Sequence, residues 1–416
     1  MKLSKQTTIR LTSSEANIIG HMNYMAVKYW NTLNYERLHY REPGFESMPD
    51  WYKQKKTHKN DFFARNLPSQ TAQEIAKQLD KSWKSYFTLL RTGGIENPKP
   101  PKFKHDKIPV TYMQNGIKRV EDNTLRLSLP KQLKEHMKAE YGIDDNYLFL
   151  SNPVFEGLDD IKQLKLYPPE DNGEMKAVVI YEVEDVEAKE ENANYLSIDP
   201  GLNNILTCYN NRTGETFIIG KKFFSVERKY LKEIGRVQSI WYSIQSKKGV
   251  EYPVSSRHIE RLYSRMYSSL DDYTHKMTKS IVSYCIQNNI NTVVCGDISH
   301  IRGNFNKGNV LNQKMHSWPF RKIIEKLEYK LTLAGITLVM EKESYSSQCS
   351  PLSEEVSKKY AEKNKRVKRG LFVDGEKSWN ADTVGAYNIL RLYRQRTGKQ
   401  IHLADIRMPY VYKVAV

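Results

Sequence analysis

Three strand-like runs follow one another with no room for a helix between them: Tyr195-Leu196-Ser197-Ile198, Asn204-Ile205-Leu206-Thr207-Cys208-Tyr209 and Thr216-Phe217-Ile218-Ile219. The links, Asp199-Pro200-Gly201 and Asn211-Arg212-Thr213-Gly214, are turn sequences. Strands joined this tightly pair antiparallel. A purely doubly wound sheet would put a helix after the first strand, so this region starts a different kind of sheet.

Beyond these runs, helix and strand alternate. An amphipathic helix is expected over about 257–288, with Ile259, Leu262, Met266, Leu270, Tyr273, Met277, Ile281 and Tyr284 on one face. A strand at 292–295, a helix at 320–334, a strand at 336–340 and a last helix at 383–396 complete the pattern. Three hairpin strands followed by α/β units predict an RNase H-like fold.

An acidic, polar stretch at 182–192 separates this half from the first and reads as a domain boundary. Before it, Thr8-Ile9-Arg10-Leu11 alternates like a strand, and Thr12-Ser13-Ser14-Glu15 has the form of a capping box. Residues 16–90 are helical in pattern, most clearly where Ala72, Ile75, Ala76, Leu79, Trp83, Tyr86 and Phe87 recur every three or four positions. From 110 to 181 the pattern is strand-like, with a hairpin turning through Asp171-Asn172-Gly173. The first half is therefore expected to be a small β-domain carrying a helical insertion.

Lys and Arg number 65 against 48 Asp and Glu, a formal charge of +17. That balance favours a polyanionic partner, because a cationic surface gains affinity by releasing counterions condensed on phosphates. The four cysteines, Cys208, Cys285, Cys295 and Cys349, form no C-x-x-C pair, which excludes a disulfide scaffold and a four-cysteine zinc site. The polar start of the chain and the lack of any apolar run of about 18 residues predict a cytoplasmic protein with no membrane partner.

Two-metal phosphodiester cleavage needs several carboxylates at one end of one sheet, since hard anionic oxygens must hold two Mg²⁺ ions about 3.5–4 Å apart. Asp199 ends the first strand of the second half, Asp297 follows the strand at 292–295, Glu343 follows the strand ending at Met340, and Asp382 stands just before the last helix. Each has a plain structural alternative, a turn, a solvated strand end or a helix N-cap. Four element ends carrying acids toward one edge is the argument for chemistry.

At these residues the chain resembles the TnpB (OrfB) family, the transposon-encoded RNA-guided nucleases ancestral to compact type V CRISPR effectors. The resemblance rests on Ser197-Ile198-Asp199-Pro200-Gly201, Val293-Val294-Cys295-Gly296-Asp297-Ile298, Lys342-Glu343-Ser344-Tyr345-Ser346-Ser347 and Asn380-Ala381-Asp382-Thr383-Val384-Gly385-Ala386-Tyr387-Asn388-Ile389. Pro101-Lys102-Phe103-Lys104 and the segment from Leu67 to Phe87 resemble the family's first half. The resemblance implies an α/β plus β architecture: an N-terminal wedge β-barrel (1–15 and 96–192) with an inserted helical recognition lobe (16–95), then a C-terminal RuvC (RNase H-like) nuclease domain (193–416). It implies a guide RNA, a target in double-stranded DNA read beside a short motif, and cleavage with two Mg²⁺ ions in one site. Asp199 and Asp382 map to the first and third RuvC acids.

The chain departs from the family pattern in two places. Most relatives carry a glutamate where this chain has Gly296; one subgroup instead has a glutamate shortly before Tyr-(Ser/Thr)-Ser, which maps to Glu343, with Asp297 the alternative second acid. The family's two C-x-x-C pairs are also missing, so no zinc is expected. In their place a basic segment at about 346–379 includes Lys365, Arg366, Lys368 and Arg369, which, with Lys102 and Lys104, are expected to contact phosphate. The altered second acid keeps a nuclease-dead RNA-guided repressor in view, and a compact type V CRISPR effector would share the chemistry.

Overall fold

In the computed structural model, residues 1–42, 47–93, 95–299, 312, 318–368 and 370–415 are described. The chain divides into two compact units, Met1–Glu184 and Asp185–Val416, the division falling inside the acidic stretch.

The first unit opens with β1 (Lys2–Arg10) and then α1 (Ser13–Leu38). Thr12 caps α1 in the predicted capping box: its hydroxyl accepts from the Glu15 N–H while the Glu15 carboxylate takes the Thr12 N–H at 2.7 Å. Next come α2 (Trp51–Thr57), α3 (Phe62–Arg65) and α4 (Ser69–Thr92), whose periodic stripe from Ala72 to Trp83 is buried as the spacing predicts. The chain then forms β2 (Val110–Met113), β3 (Ile117–Glu121), β4 (Thr124–Ser128), α5 (Lys131–Tyr141), β5 (Tyr147–Ser151), β6 (Asp160–Leu166) and β7 (Glu174–Glu182). These strands pair as a four-stranded sheet in the order β1-β7-β6-β2 and a three-stranded meander β3-β4-β5. Because β1 pairs along its length with β7, the helices α1 to α4 are an insertion between the first and second strands of one sheet. Helix α5 departs from the strand-like expectation for 110–181. Pro130 and Gly142 delimit it, and Leu133 and Met137, one turn apart, bury its inner face.

The second unit holds a six-stranded mixed sheet. Strands β8 (Tyr195–Pro200), β9 (Leu206–Asn210) and β10 (Thr216–Ile219) form the predicted antiparallel meander. After helices α6 (Phe223–Lys247) and α7 (Arg257–Gln287) comes β11 (Thr292–Asp297), which lies parallel to β8. Helix α8 (Phe320–Leu333) leads to β12 (Thr337–Lys342), parallel to β11. A small hairpin, β13 (Phe372–Asp374) and β14 (Lys377–Trp379), precedes α9 (Ala381–Thr397), and β15 (Tyr410–Val411) edges the sheet. The sheet order is β12-β11-β8-β9-β10-β15.

The two faces of this sheet bury different partners. Leu196, Ile198, Val293 and Cys295 pack in one core with residues of α7 and α8, such as Ile281 and Leu327. Tyr195, Tyr209 and Val294 pack with Ala386, Ile389 and Leu390 of α9 on the other. Side chains alternate across a strand, so the faces are fixed residue by residue. No helix of the described residues is long and apolar enough to cross a membrane.

Candidate active site

Strands β8, β11 and β12 are neighbours, run parallel and end at the same edge of the sheet. In register, Ile198 stands opposite Cys295, and Gly296 opposite Glu341. Asp199, one residue beyond Ile198, is therefore level with Gly296. Tyr195 and Val294 face α9, so by the two-residue alternation Asp199 and Gly296 face it too. Glu341 shares that face: it is buried, Arg396 Nε on α9 donates to its Oε2 at 2.8 Å, and Arg396 Nη2 forms an ion pair with the same oxygen at 2.8 Å.

Asp199 is pressed between the strand end and α9. A methyl group at Gly385 would fall 2.3 Å from Asp199 Oδ2, so only glycine on α9 leaves room for this carboxylate. Burial, with the negative charges of Glu343 and Asp382, pushes the Asp199 carboxyl well above the usual range, against the pull of Arg366.

Glu343 follows β12 directly. The chain bends there: Tyr345 has a φ of 65°, and the Ser346 N–H and hydroxyl both donate to the Glu343 carbonyl, at 3.2 and 3.1 Å. The bend carries the Glu343 side chain back over Gly296, where a Cβ would lie 1.9 Å from Oε1. Burial and the Asp297 charge push the Glu343 carboxyl up to about 7. Its Oε1 is buried with no hydrogen-bond partner among the described residues. Cys295, buried beneath, is raised by burial and by the charges of Glu343, Asp199 and Asp297, which places all three acids around one strand end.

Asp382 lies in the first turn of α9. The cap of that helix is Asn380, whose Oδ1 accepts the N–H groups of Asp382 and Thr383 at 3.0 and 3.4 Å. The Asp382 carboxylate is therefore spared capping duty and sits where the helix dipole favours a negative charge. Asn204 Nδ2 donates to its Oδ2 at 2.7 Å, and Arg366 Nη2 lies 3.2 Å from its Oδ1. Asp297 is nearby but locally engaged, with Oδ1 accepting the Ser299 N–H at 2.9 Å.

The structure thus brings Glu343 and Asp382 each into electrostatic range of Asp199, with Asp297 beside Glu343. Among the described residues no three His, Cys, Asp or Glu side chains stand close enough together to hold a metal ion as they are placed. The donor set still suits a hard divalent cation: carboxylate oxygens, held together against their own repulsion, one of them buried and unpartnered.

Of the six basic residues named from the sequence, Arg366 is the one that reaches an acid of this site among the described residues. Lys365 is tied to Glu362 at 2.7 Å and Asp374 at 2.9 Å, which holds it within its own loop. Lys368 is exposed beside a small backbone bridge to Leu371, Lys102 and Lys104 belong to the first unit, and Arg369 lies outside the described residues. The sequence reading missed Asn204 and Gly385. Asn204 carries no motif signal; Gly385 sits in the quoted Asp382 motif, where a glycine inside a helix marks a close approach.

The fold and site define a class: a mixed α/β protein with acids gathered at the edge of three parallel strands and a separate β-plus-helical unit. Residues 178–302 match the OrfB_IS605 family model, described as a probable transposase, and residues 320–389 match the Cas12f1-like TNB domain. These two matches cover separate parts of the chain, each less than half of it. No curated protein matches it. Among solved structures it is similar to a Cas12f1–sgRNA–target DNA complex (12% identity, TM-score 0.37, covering 94% of this chain and 100% of that one). It is also similar to the mini-RNA-guided endonuclease CRISPR-Cas_phi3 (10% identity, TM-score 0.44, covering 97% and 94%). A third is an AacC2c1–sgRNA–extended non-target DNA complex (8% identity, TM-score 0.44, covering 93% and 70%).

Proposed function

We propose that this protein is an RNA-guided DNA endonuclease of the TnpB type, with one Mg²⁺-dependent RuvC site. The observation that carries the reading is the gathering of Asp199, Glu343 and Asp382 at one strand edge, with Glu343 occupying the space over Gly296. Residues 1–15 and 96–192 would form the wedge β-barrel, 16–95 the recognition lobe and 193–416 the nuclease domain, with 346–379 facing target nucleic acid. The partners are a guide RNA and a duplex DNA target beside a short recognised motif.

Asp199, Glu343 and Asp382 would hold the two Mg²⁺ ions. When bound, the metal neutralises charge developing on the attacking and leaving oxygens of the phosphodiester. The chain's own contribution is placement. Gly296 and Gly385 clear space for Glu343 and Asp199, and Asn204 orients Asp382. A Glu343 carboxyl raised to about 7 keeps a proton near neutrality and so limits repulsion within the cluster.

Two other readings have their own support. A nuclease-dead repressor draws on the engagement of both Asp382 oxygens by Asn204 and Arg366. A compact type V CRISPR effector draws on the match to the Cas12f1-like TNB domain and would use the same site. The test is to express the protein with its flanking locus, sequence the RNA that co-purifies, and present both with Mg²⁺ to a plasmid library with randomised flanks. Guide-dependent cuts support the endonuclease, whereas a guide-dependent footprint without cuts supports the repressor. RNA transcribed from a repeat array supports the CRISPR effector.

A further inference from the structure

The bend that follows β12 holds a side chain that its backbone does not favour. Tyr345 has a φ of 65°, in the left-handed region where a Cβ crowds the following carbonyl oxygen, and it is the one bulky residue there among the described residues. The other non-glycine residues in that region are Asn97, Ala193 and Asn289, and asparagine tolerates the conformation. Where only a chain reversal is needed the protein uses glycine, as at Gly93, Gly142 and Gly398, which end α4, α5 and α9. The turn from Glu343 to Ser346, with a positive φ at its third residue, is also of the kind that favours glycine there. Its neighbours hold the strained form in place: the Gln348 and Cys349 N–H groups donate to the Tyr345 carbonyl at 3.0 and 3.1 Å, and Asn388 Nδ2 holds the Ser346 carbonyl at 2.8 Å.

Packing within the fold does not account for the tyrosine. Its side chain is 36% exposed and belongs to none of the apolar cores of the second unit. Among the described residues its ring stacks on no other ring and its hydroxyl has no hydrogen-bond partner. A bulky residue held in strain at the surface, with no partner in the fold, points to a role outside it. Tyr345 follows Glu343 by two residues, a span of at most about 7 Å of chain. A strand whose phosphate lies at Glu343 therefore passes close to this ring. A guide directs a nuclease of the proposed type to any sequence, so contacts at the cut must be indifferent to base identity. Stacking on an aromatic side chain has that property, because every base presents a π-face.

We propose that Tyr345 is a substrate-binding residue whose ring stacks on a nucleobase beside the phosphodiester held at Glu343, and that the strained backbone is kept for this contact. The inference rests on the reading of the protein as a guided DNA endonuclease and adds one contact to that site.

The test holds the guide-loaded, full-length protein on its target with Ca²⁺ in place of Mg²⁺, on duplexes carrying 2-aminopurine, a fluorescent base dimmed by stacking, at successive positions of each strand. At least one position is expected to be dim with the wild type and to brighten with Tyr345→Ala and Tyr345→Gly alike, while Tyr345→Phe, which keeps the ring, restores the dimming. Single-turnover cutting with Mg²⁺ is expected to fall about tenfold in the alanine and glycine variants, the order of one lost base–aromatic stack. Tyr345→Gly, freed of the strain, should melt about 2–4 °C above Tyr345→Ala, and it carries the test if the alanine variant fails to fold. Mn²⁺ binding to the nucleic-acid-free variants should match the wild type, since the acids keep their places. Wild-type dimming in Tyr345→Gly, its loss in Tyr345→Phe, or no position that responds to the ring overturns the proposal. Weakened Mn²⁺ binding also overturns it, because Tyr345 would then act through Glu343 instead of touching the strand. The two failures separate: cutting by the wild type without a responsive position removes only this contact, and a responsive position without cutting removes only the nuclease.

Discussion

The Glu343 carboxylate stands where a side chain at position 296 would begin, with Oε1 1.9 Å from where a Cβ on Gly296 would lie. One position on β11 is bare, and the residue after the neighbouring strand fills the space. An acid delivered from β12 therefore reaches the place that an acid on β11 would have reached.

This relationship predicts the outcome of Gly296→Ala. The atoms a new methyl group would meet belong to the movable side chain of Glu343, so the fold should tolerate it, at the low end of the usual cost of overpacking, about 1 kcal/mol. The carboxylate must shift, however, and single-turnover plasmid cutting should fall at least tenfold. The exchange Gly296→Glu with Glu343→Ala should recover part of that activity, since the same volume again holds one carboxylate. Equal activity in Gly296→Ala and wild type, measured at matched thermal stability, would contradict the steric argument.

Arg366 should compete with cations for Asp382. Their ion pair is more than a third exposed on the arginine side, which limits its worth to about 0.2–1 kcal/mol. Arg366→Gln is therefore expected to tighten Mn²⁺ binding to the nucleic-acid-free protein by up to about fivefold, read by calorimetry or by electron paramagnetic resonance. Unchanged or weaker binding would mean that Asp382 is not a metal ligand or that Arg366 does not shield it.

The first unit should lose stability as pH rises above 6.5. His58 lies between two carboxylates, Glu36 Oε2 at 3.1 Å from Nε2 and Asp61 Oδ2 at 2.5 Å from Nδ1, and the Glu36 hydrogen bond leads the causes that raise its pKa. A base whose folded pKa is raised contributes fully below its unfolded value, about 6.5, and loses that contribution as pH climbs through the folded one. Urea midpoints should fall from pH 6 toward pH 9, and His58→Gln should flatten the decline. A flat wild-type profile would refute it.

Helix α9 should hold the loop after β12 without zinc. Asn388 Nδ2 donates at 2.8 Å to the carbonyls of both Ser346 and Cys349, and Arg391 Nη1 donates to the Ser350 carbonyl at 2.9 Å. Both side chains are buried, so Arg391→Ala leaves acceptors unmet and should cost about 1–3 kcal/mol. Hydrogen exchange should quicken at 346–353 in this variant, while a zinc chelator should leave the wild type unchanged. A chelator that melts the loop would show that metal supports it after all.

Much of this was legible in the sequence where periodicity and turn chemistry agree. The β8–β10 meander, the capping box at Thr12 and the stripe of α7 are local patterns with one structural solution. Helix α6 was missed although Phe223, Val226, Tyr230, Ile234 and Val237 recur at helical spacing, because exposed Ile240, Trp241 and Ile244 blur which face is apolar. The acids could be named because each ends an element, a property of order along the chain. Their convergence could not, since it depends on which strands lie side by side. Asn204 and Gly385 act only through residues 178 and 186 positions away, and no local pattern carries that information.

In the proposed function, Asp199, Glu343 and Asp382 form one hydrolytic site in which Glu343 supplies the second acid. The direct measurement is guide-dependent, Mg²⁺-dependent plasmid cutting by Glu343→Gln and Asp297→Asn side by side, each loaded with the co-purified RNA and checked for target binding. Glu343→Gln is expected to bind its target and lose at least about a hundredfold in cutting rate, while Asp297→Asn keeps most of it. Full cutting by Glu343→Gln, or its loss only in Asp297→Asn, would contradict the assignment.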